Sequence, residues 1–480
     1  MEITSFGASH LSRLIASKQI SCQELMQATL KRIAAVNPQV HAIVNLRSEA
    51  DLMQEAAAHD ALLAAGQSKG WFHGIPQAIK DIAPAAGLPN TMGSPLLKDF
   101  IPKEDGLMVQ RMRAAGCIVI GKTNVPEFGL GSHSFNEVFG ATRNAYDLSK
   151  TAGGSSGGAA VALATRMVSV ADGSDFMGSL RNPAAWGNVF GMRPSQGRVP
   201  MWPATDVWIN QLGTEGPMAR DVESLGALLQ TQSGYSVNTP ISIANYPDFI
   251  SGTGHFSFKN QRIGWLGDLA THLATEPGVL GQCEAGLQRM AAQGAAIEPA
   301  DLPMPPDQIW QAWLVWRKAL VGSRIAPHML NTANRAKIKP EALWEYDQSL
   351  DLKGNELMRA SVVRTSFYQA MLKLFERYDF LALPAVQVWP FAVEQRWPQE
   401  IITANGIRAM DTYHRWMECT IYATFAGLPA ISLPCGFSEQ GLPMGVQIIG
   451  KPQGDEQLLQ LAAAYEALAA DVLQQSPGLR

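Results

Sequence analysis

Two serine-containing stretches and one lysine have the residue types that nucleophilic chemistry requires. Residues 153–158 read Gly-Gly-Ser-Ser-Gly-Gly, and residues 175–183 place Ser179 in a short loop after an aspartate. Each stretch puts a serine beside backbone N–H groups that could stabilise a developing negative charge. We interpret Ser179 as a nucleophile, Ser155 as a proton relay and Lys80 as the distant base.

Lys80 is the base in this interpretation because no histidine stands in a recognisable catalytic setting. A serine hydroxyl is a weak nucleophile until a base takes its proton. His133 is the nearest histidine candidate, and we expect it to lie in a surface loop. Residues 75–82 read as a short strand whose alternation places Lys80 on an apolar face. Burial there would lower the pKa of the lysine, although an exposed edge or a salt bridge also explains such a residue.

The loop before Ser179 is a candidate oxyanion hole. The backbone N–H groups of Phe176, Met177, Gly178 and Ser179 could bind the oxygen of a tetrahedral intermediate, and one good donor is worth roughly 3–4 kcal/mol. Lys80, Ser155 and Ser179 are too far apart in sequence to form a local motif, so the fold must bring them together. The structural alternative is that glycine- and serine-rich turns merely begin helices.

The surrounding sequence predicts alternating helices and buried strands. Residues 1–65 read as helical, with a capping box from Ser21 to Glu24 and a helix end at Asn37 and Pro38. A helix capped by Asp105 and followed by a buried strand predicts a βαβ unit with parallel strands. Further helices are predicted over 158–168 and from residue 455, with strands over 75–82, 117–120, 168–171, 262–266, 380–384, 430–434 and 445–450.

Composition indicates a globular protein without a basic surface. The chain has 480 residues, 46% of them hydrophobic and 17% charged, with a formal net charge of −4. These values fit a large buried core and give no footprint for nucleic acid. The five widely spaced cysteines predict buried free thiols, and no spacing predicts a metal site. Without a signal peptide or a long apolar run, we expect a cytoplasmic protein without a membrane partner.

The motifs resemble those of the amidase signature family. The resemblance begins with residues 153–158 and 175–183 and continues in five further blocks. These blocks are residues 74–81, 121–128, 216–220, 427–434 and 441–447. The resemblance implies an α/β fold, a single large α/β/α domain with a mixed central sheet covered by helices on both faces. It also implies a Ser-cisSer-Lys triad of Ser179, Ser155 and Lys80, with a cis peptide before Ser155 and no metal or cofactor.

One residue departs from the family pattern. The family usually has Gly-Gly-Ser at the nucleophile loop, whereas this chain has Met177-Gly178-Ser179. A methionine cannot adopt positive φ as cheaply as a glycine can. The loop therefore either keeps φ negative at Met177 or is strained there, and the methionine side chain could narrow the pocket.

The resemblance and the texture of the sequence together predict one domain over residues 1–480. We expect a helical N-terminal part over 1–65 and a catalytic core over 66–240. Residues 241–400 read as a variable section that could cover the pocket, and residues 401–480 return to the core. Trp310, Trp313 and Trp316 recur there at helical spacing, which favours a packing stripe over an aromatic pocket wall.

We predict a stand-alone hydrolase that cleaves amides of small molecules, with esters and carbamates (urethanes) as further substrates and a homodimer as a compatible assembly. Trp202 and Trp208 suggest an aromatic or bulky apolar substrate. The main alternative is an amidotransferase subunit that acts on aminoacyl-tRNA with partner chains.

Three further hypotheses are weaker. A nucleophile elbow would make Ser155 the nucleophile, but it needs a strand immediately before the serine. A phosphate-binding loop lacks its Gly-Lys-Ser/Thr, and an inactive binding protein would not need Lys80, Ser155 and Ser179 together.

Overall fold

The computed structural model describes residues 2–250 and 256–479. Its helices are α1 (Ala8–Ala16), α2 (Cys22–Val40), α3 (Glu49–Ala64), α4 (Leu107–Ala114), α5 (Gly157–Ala164), α6 (Arg181–Gly187), α7 (Val222–Gln232), α8 (Val279–Ala291), α9 (Pro306–Met329), α10 (Pro340–Leu350), α11 (Gly354–Arg377), α12 (Ile421–Phe425), α13 (Asp455–Leu468) and α14 (Ala470–Leu473). Its strands are β1 (Ile43–Val44), β2 (Pro76–Lys80), β3 (Ile118–Thr123), β4 (Phe135–Asn136), β5 (Gly140–Ala141), β6 (Val170–Asp175), β7 (Phe190–Arg193), β8 (Thr214–Ala219), β9 (Arg262–Trp265), β10 (Ala296–Pro299), β11 (Phe380–Pro384), β12 (Glu400–Thr403), β13 (Gly406–Ala409), β14 (Ala430–Phe437) and β15 (Pro443–Ile449).

An eight-stranded mixed sheet forms the centre of the fold. Its strand order is β10-β9-β11-β15-β14-β7-β8-β6, with β9 parallel to β10 and β11 and antiparallel pairing elsewhere. Successive strand residues point to opposite faces of the sheet, and helices cover both faces. A Cβ on Gly445 would lie 2.9 Å from that of Ala185 in α6, whereas Val446 faces Gly286 in α8. The predicted α/β fold with a helix-covered mixed sheet is confirmed.

A small three-stranded sheet carries Lys80 at the end of β2. The order is β1-β3-β2, and β2 runs parallel to β3 with Lys80 opposite Thr123. Helix α4 connects these two strands, so the predicted βαβ unit is confirmed. All five residues of β2 are buried, Gln77 and Lys80 included, so Lys80 lies inside the protein.

Helix α5 places the serines of residues 153–158 beside this small sheet. All eight of its residues are buried, as expected of a helix that is apolar all round. A Cβ on Gly158 would lie 2.4 Å from the backbone nitrogen of Asn124, so only glycine allows the helix to approach β3 so closely. The sequence of the glycine-rich turn is therefore partly a packing requirement.

Two predicted helix ends were wrong. Helix α2 continues to Val40 with Pro38 inside its last turn, and the left-handed residue His41 ends it. A proline there removes a single backbone donor near the C-terminus, which the helix tolerates. Helix α5 ends at Ala164, so residues 165–168 are not helical as predicted.

Asp105 does not cap α4, and residues 172–175, which follow the predicted strand 168–171, belong to β6. Helix α4 begins after Gly106, while the Asp105 carboxylate accepts the N–H of Ala86 and pairs with Arg113. Strand β6 extends through Asp175 because its whole length pairs with β8. This extension carries the chain directly to the Ser179 loop.

The large sheet takes strands from both halves of the chain, which supports our proposal that residues 1–480 form one domain. Strands β6–β8 precede residue 241, and β9–β11, β14 and β15 follow it. Within the section 241–400, residues 251–255 lie outside the described residues. None of the described helices is long and apolar enough to cross a membrane.

Candidate active site

The amine of Lys80 lies inside a ring of serine oxygens. Lys80 is 1% exposed, and its Nζ lies 2.8 Å from the Oγ atoms of both Ser155 and Ser156. The hydroxyl of Ser174 lies 2.9 Å from the same nitrogen and the Ser174 carbonyl 3.3 Å. The backbone N–H of Lys80 donates to Asp172 at 3.0 Å, which fixes the end of β2 against β6. The fold therefore brings Lys80 and Ser155 into direct contact inside the protein.

Burial lowers the pKa of Lys80 to about 7, although the charges of Asp172, Asp175 and Glu215 oppose this shift. Near neutral pH, a large fraction of the amine is consequently uncharged. A neutral amine has two N–H donors and one lone pair. The Ser174 carbonyl can only accept, so Lys80 donates to it and can use its lone pair to accept the Ser155 hydroxyl proton. This environment has the proton affinity that a general base requires.

The peptide bond between Gly154 and Ser155 is cis, as the family resemblance implies. The carbonyl of Gly154 accepts the Ser132 hydroxyl at 2.8 Å, and the Asn182 side chain donates to that same hydroxyl at 2.8 Å. Asn182 follows Ser179 by one turn at the start of α6. Ser132 therefore links the segment that holds Ser155 to the segment that holds Ser179.

Asp175 organises the loop that leads to Ser179. Its carboxylate accepts the N–H groups of Gly178 at 2.9 Å and Leu180 at 3.2 Å, and a two-bond contact from Arg181 at 3.0 Å. Burial alone would raise the pKa of Asp175, but Arg181 and Arg193 hold it well below its usual range. The loop is thus closed around a buried ionised carboxylate.

This arrangement corrects one member of the predicted oxyanion hole. The Gly178 N–H already donates to Asp175, so it is not free to bind an oxyanion. The N–H groups of Phe176, Met177 and Ser179 donate to no residue in the described parts of the chain. Positive φ occurs at Gly178 (84°) and not at Met177, so the methionine fits the loop without occupying the region that favours glycine.

Ser179 lines a cleft of about 350 Å³, measured out to open solvent. Phe176 and Met177 line it beside the serine, and Gly129 lies on another side. A Cβ on Gly129 would lie 3.7 Å from Ser155 Oγ, so this part of the cleft borders Ser155 as well. The space inside it that water-sized spheres can occupy is about 30 Å³, so the cleft is narrow in this structure.

Helix α9 also contributes to the lining of the cleft, which the sequence did not predict. Arg317, Val321 and Arg324 all line the cleft. Arg317 donates to Glu345 at 2.5 Å, and its guanidinium lies 5.5 Å from the ring centre of Phe176. The only available signal was the spacing of these residues on one helical face.

Several sequence-based expectations concern residues outside the cleft. His133 is not in a surface loop: it is 3% exposed, and its ring contacts Thr151 and the Val393 carbonyl at 2.8 Å each. Burial lowers the pKa of His133 to about 4, so it is a neutral internal hydrogen-bonding group. Trp202 and Trp208 are exposed and do not line the Ser179 cleft, so the aromatic surface at the site is Phe176.

The predictions for the tryptophans and the cysteines agree with the structure. The tryptophans of α9 are buried, which confirms the packing stripe; these are Trp310, Trp313 and Trp316. All five cysteines are buried and free. Within residues 2–250 and 256–479, no group of three or more His, Cys, Asp or Glu side chains could hold a metal ion. Residues 150 and 151 form only isolated bridges, so no strand leads directly into Ser155 as a nucleophile elbow requires.

Comparisons with known proteins agree on the family. A sequence profile of the Amidase family matches residues 24–459. A glutamyl-tRNA(Gln) amidotransferase subunit of Symbiobacterium thermophilum is 32% identical over an alignment of 483 positions that covers 96% of this chain and 96% of that protein.

Two solved structures differ in how well they match. A bacterial aryl acylamidase of the amidase signature family superposes with a TM-score of 0.89 at 28% identity, over 98% of this chain and 99% of the other. The corresponding glutamyl-tRNA(Gln) amidotransferase subunit of Thermotoga maritima superposes with a TM-score of 0.77 at 27% identity, over 96% and 95%.

Proposed function

Since the chain belongs to the amidase family of hydrolases that act on carbon–nitrogen bonds, we propose that it is a stand-alone serine hydrolase of small-molecule amides. Ser179 is the nucleophile in this proposal, Ser155 the proton relay and Lys80 the base. Carbamates (urethanes) and esters are further substrates, because an acyl-serine intermediate can form from any of these acyl groups.

The observation that carries this proposal is the 2.8 Å hydrogen bond between Lys80 and Ser155. No side-chain carboxylate in the described chain accepts a hydrogen bond from the Lys80 amine, whose partners are serine oxygens. A structural lysine would gain most from a carboxylate partner, since an unpaired buried charge is strongly unfavourable. A base, in contrast, must spend part of its time uncharged.

The reaction proceeds through two proton transfers in each direction. The Ser179 oxygen attacks the carbonyl carbon while its proton moves to Ser155 and the Ser155 proton moves to Lys80. The free N–H groups of the 176–179 loop stabilise the oxygen that becomes negative. The carbon–nitrogen bond then breaks, and the leaving amine takes a proton back through Ser155. Water cleaves the acyl-enzyme by the same route, which releases the acid and restores Ser179.

A small-molecule substrate is favoured by the closer superposition on the aryl acylamidase than on the amidotransferase subunit. The cleft is also narrow, because Met177 and Phe176 both project side chains to its lining. The second candidate function remains an amidotransferase subunit, which the 32% identity to such a subunit favours. In that case the chain would require partner chains and an aminoacyl-tRNA.

Hydrolysis of three matched aryl substrates tests the proposal: an anilide, an ester and an N-aryl carbamate with the same acyl and aryl groups. We expect the wild type to cleave at least the anilide or the carbamate. Ser179→Ala should lose this activity by about 10³-fold or more, whereas Ser366→Ala, at an exposed serine on α11, should retain it. Normal turnover by folded Ser179→Ala protein would exclude the proposed nucleophile.

Activity measured with and without added partner subunits separates the two candidate functions. The purified wild-type chain should cleave its substrates without any added protein. If it is inactive alone, and if glutamine hydrolysis appears only with amidotransferase partner subunits and mischarged tRNA, the second candidate function is correct.

A further inference from the structure

Helix α9 contributes two arginines to the lining of the Ser179 cleft. Arg317, Val321 and Arg324 are spaced at i, i+4 and i+7, so they share one face of the helix. All three line the cleft together with Ser179. The two arginines differ in how the protein neutralises them.

Arg317 is fully paired within the protein. Its Nε donates to Glu345 at 2.5 Å, and its Nη2 donates to the Tyr413 hydroxyl at 2.5 Å. Tyr413 in turn donates to the same Glu345 oxygen at 2.8 Å. Although burial lowers the pKa of Arg317, Glu345 raises it above its ordinary value. The charge of this arginine is therefore already balanced by a buried carboxylate.

Arg324 has no such partner. Its guanidinium makes no hydrogen bond or ion pair with any residue in the described parts of the chain, although the side chain is half-buried. Burial lowers the pKa of Arg324, and the neighbouring positive charge of Arg317 lowers it further. The protein thus holds one surplus positive charge beside the nucleophile, in a position where solvation is incomplete.

We infer that the cleft accepts amides that carry a carboxylate and that Arg324 binds this carboxylate. A guanidinium presents a planar fork of N–H donors that matches a carboxylate with two parallel hydrogen bonds. A half-buried cation without a partner is unfavourable in the empty cleft, so an anionic substrate gains the interaction that the protein leaves unmade. This inference deepens the proposed function and depends on Ser179 being the nucleophile of this cleft.

The test compares charged and neutral substrates that share a skeleton and differ in having a carboxylate or a methyl group at one position. On the acyl side, succinyl 4-nitroanilide is compared with butyryl 4-nitroanilide. On the amine side, 4-acetamidobenzoate is compared with 4-methylacetanilide. For each pair, the measured quantity is the ratio of kcat/KM for the anion to kcat/KM for the neutral substrate.

We expect the wild type to prefer the anion in at least one pair by about tenfold or more, a typical gain for a charged hydrogen-bonding contact. Arg324→Gln should lower this ratio by about tenfold, chiefly through KM, and Arg324→Glu should lower it further. Arg359→Gln is the matched control, because Arg359 is an exposed arginine of α11 outside the cleft. The ratio of kcat/KM for the anion to kcat/KM for the neutral substrate should be the same in Arg359→Gln as in the wild type.

Two results would overturn the inference and leave the hydrolase intact. One is Ser179-dependent cleavage of the neutral substrates with ratios near one. The other is a preference for the anions that Arg324→Gln does not change.

If neither pair is cleaved, calorimetry on Ser179→Ala protein measures binding of succinyl 4-nitroanilide directly. Equal affinity with and without Arg324→Gln, or no binding, would show that Arg324 is an ordinary solvated surface arginine. Loss of cleavage with retained Arg324-dependent binding would instead challenge the proposed function.

Discussion

The floor and the wall of the Ser179 cleft are built from different kinds of sequence. The floor consists of Lys80, Ser155 and Ser179, which lie on buried segments of β2, the α5 turn and the loop after β6. The wall consists of Arg317, Val321 and Arg324 on the long helix α9. Lys80 and Ser155 of the floor are hydrogen-bonded to each other, whereas the wall includes a cation that no described residue pairs.

This difference separates reaction chemistry from substrate choice. Chemistry at the floor requires its side chains to be held in fixed positions. Glycines, buried strands and an ionised aspartate restrict those positions. The wall only has to present a surface to whatever part of the substrate faces it. A change in the wall should therefore alter which substrate binds, and a change in the floor should alter whether any substrate reacts.

The largest expected effect comes from the two buried lysines on neighbouring strands. Lys80 and Lys122 are both almost inaccessible, and burial lowers their pKa values to about 7 and about 8. Lys80 contacts the serines, whereas Lys122 donates to the Ala83 carbonyl at 2.6 Å and to Asn90 at 3.0 Å. Lys80→Met should lower kcat by about 10²–10⁴-fold, because it removes the base.

Lys122→Met is the matched control for this prediction. It removes an equally buried amine, so it should lower the free energy of unfolding without abolishing turnover by the folded protein. Circular dichroism would establish folding of both variants before kcat is measured. Comparable kcat losses in the two variants would mean that the floor depends on any buried lysine and not on Lys80 as a base.

The second effect tests whether the floor depends on the charge of Asp175. Asp175→Asn keeps the shape of the side chain but leaves Arg181 and Arg193 without their buried counter-ion. Breaking such a pair costs about 3–5 kcal/mol of unfolding free energy, which urea denaturation would measure. We also expect kcat to fall about 100-fold, since the N–H groups of the oxyanion loop would lose their fixed position.

Asp471→Asn provides the contrast for that measurement. Asp471 pairs with Arg289 at 2.7 Å, but its side chain is 64% exposed. An exposed pair contributes less than about 1 kcal/mol. If Asp175→Asn were no more harmful than Asp471→Asn, the Asp175 carboxylate would not organise the loop.

Much of the floor could be predicted from sequence because its restraints are local. The glycine turn before α5 and the apolar strand around Lys80 each have a recognisable residue pattern, and ordered motifs of a known family connect them. Sequence could not reveal that Gly178 uses its N–H on Asp175, because that hydrogen bond depends on the backbone path of the loop. The end of β6 was misplaced for a similar reason, since pairing with β8 overrides the turn-forming residues 172–175.

The wall could not be predicted because residues distant in sequence determine whether each of its arginines is paired. Arg317 and Arg324 look alike in sequence, and only the fold brings Glu345 and Tyr413 to the first of them. The tryptophan stripe of α9 was visible from its spacing, yet the arginine face beside it carries no motif. Trp202 and Trp208 were misleading for the opposite reason, since their residue type suggested a pocket and the fold leaves them exposed.

The third effect is the pH dependence that the floor should impose. In the proposed mechanism the neutral form of Lys80 is the base, so activity should be full above its pKa of about 7 and fall as the amine becomes protonated below it. We expect kcat/KM to decrease about tenfold per pH unit below pH 7. A pH profile with a neutral anilide measures this, and a profile that stays flat down to pH 5 would mean that Lys80 does not act as the base.

The smallest effect concerns Phe176, where floor and wall meet. Its side chain lines the cleft. The ring also packs against Trp313 with a centroid distance of 5.6 Å and lies beneath the Arg317 guanidinium. Phe176→Leu keeps the apolar volume but removes the aromatic face, which is worth about 0.5–1.5 kcal/mol, or roughly 3–10-fold in KM for an aryl substrate. The corresponding alkyl amide should lose less, and kcat should change little for either substrate.

Phe256→Leu is the control, because Phe256 is a half-buried phenylalanine that packs on Phe258 and Phe380 away from the cleft. A large fall in kcat for Phe176→Leu would place this residue with the floor, because it would mean that the ring holds the oxyanion loop and does not merely contact the substrate.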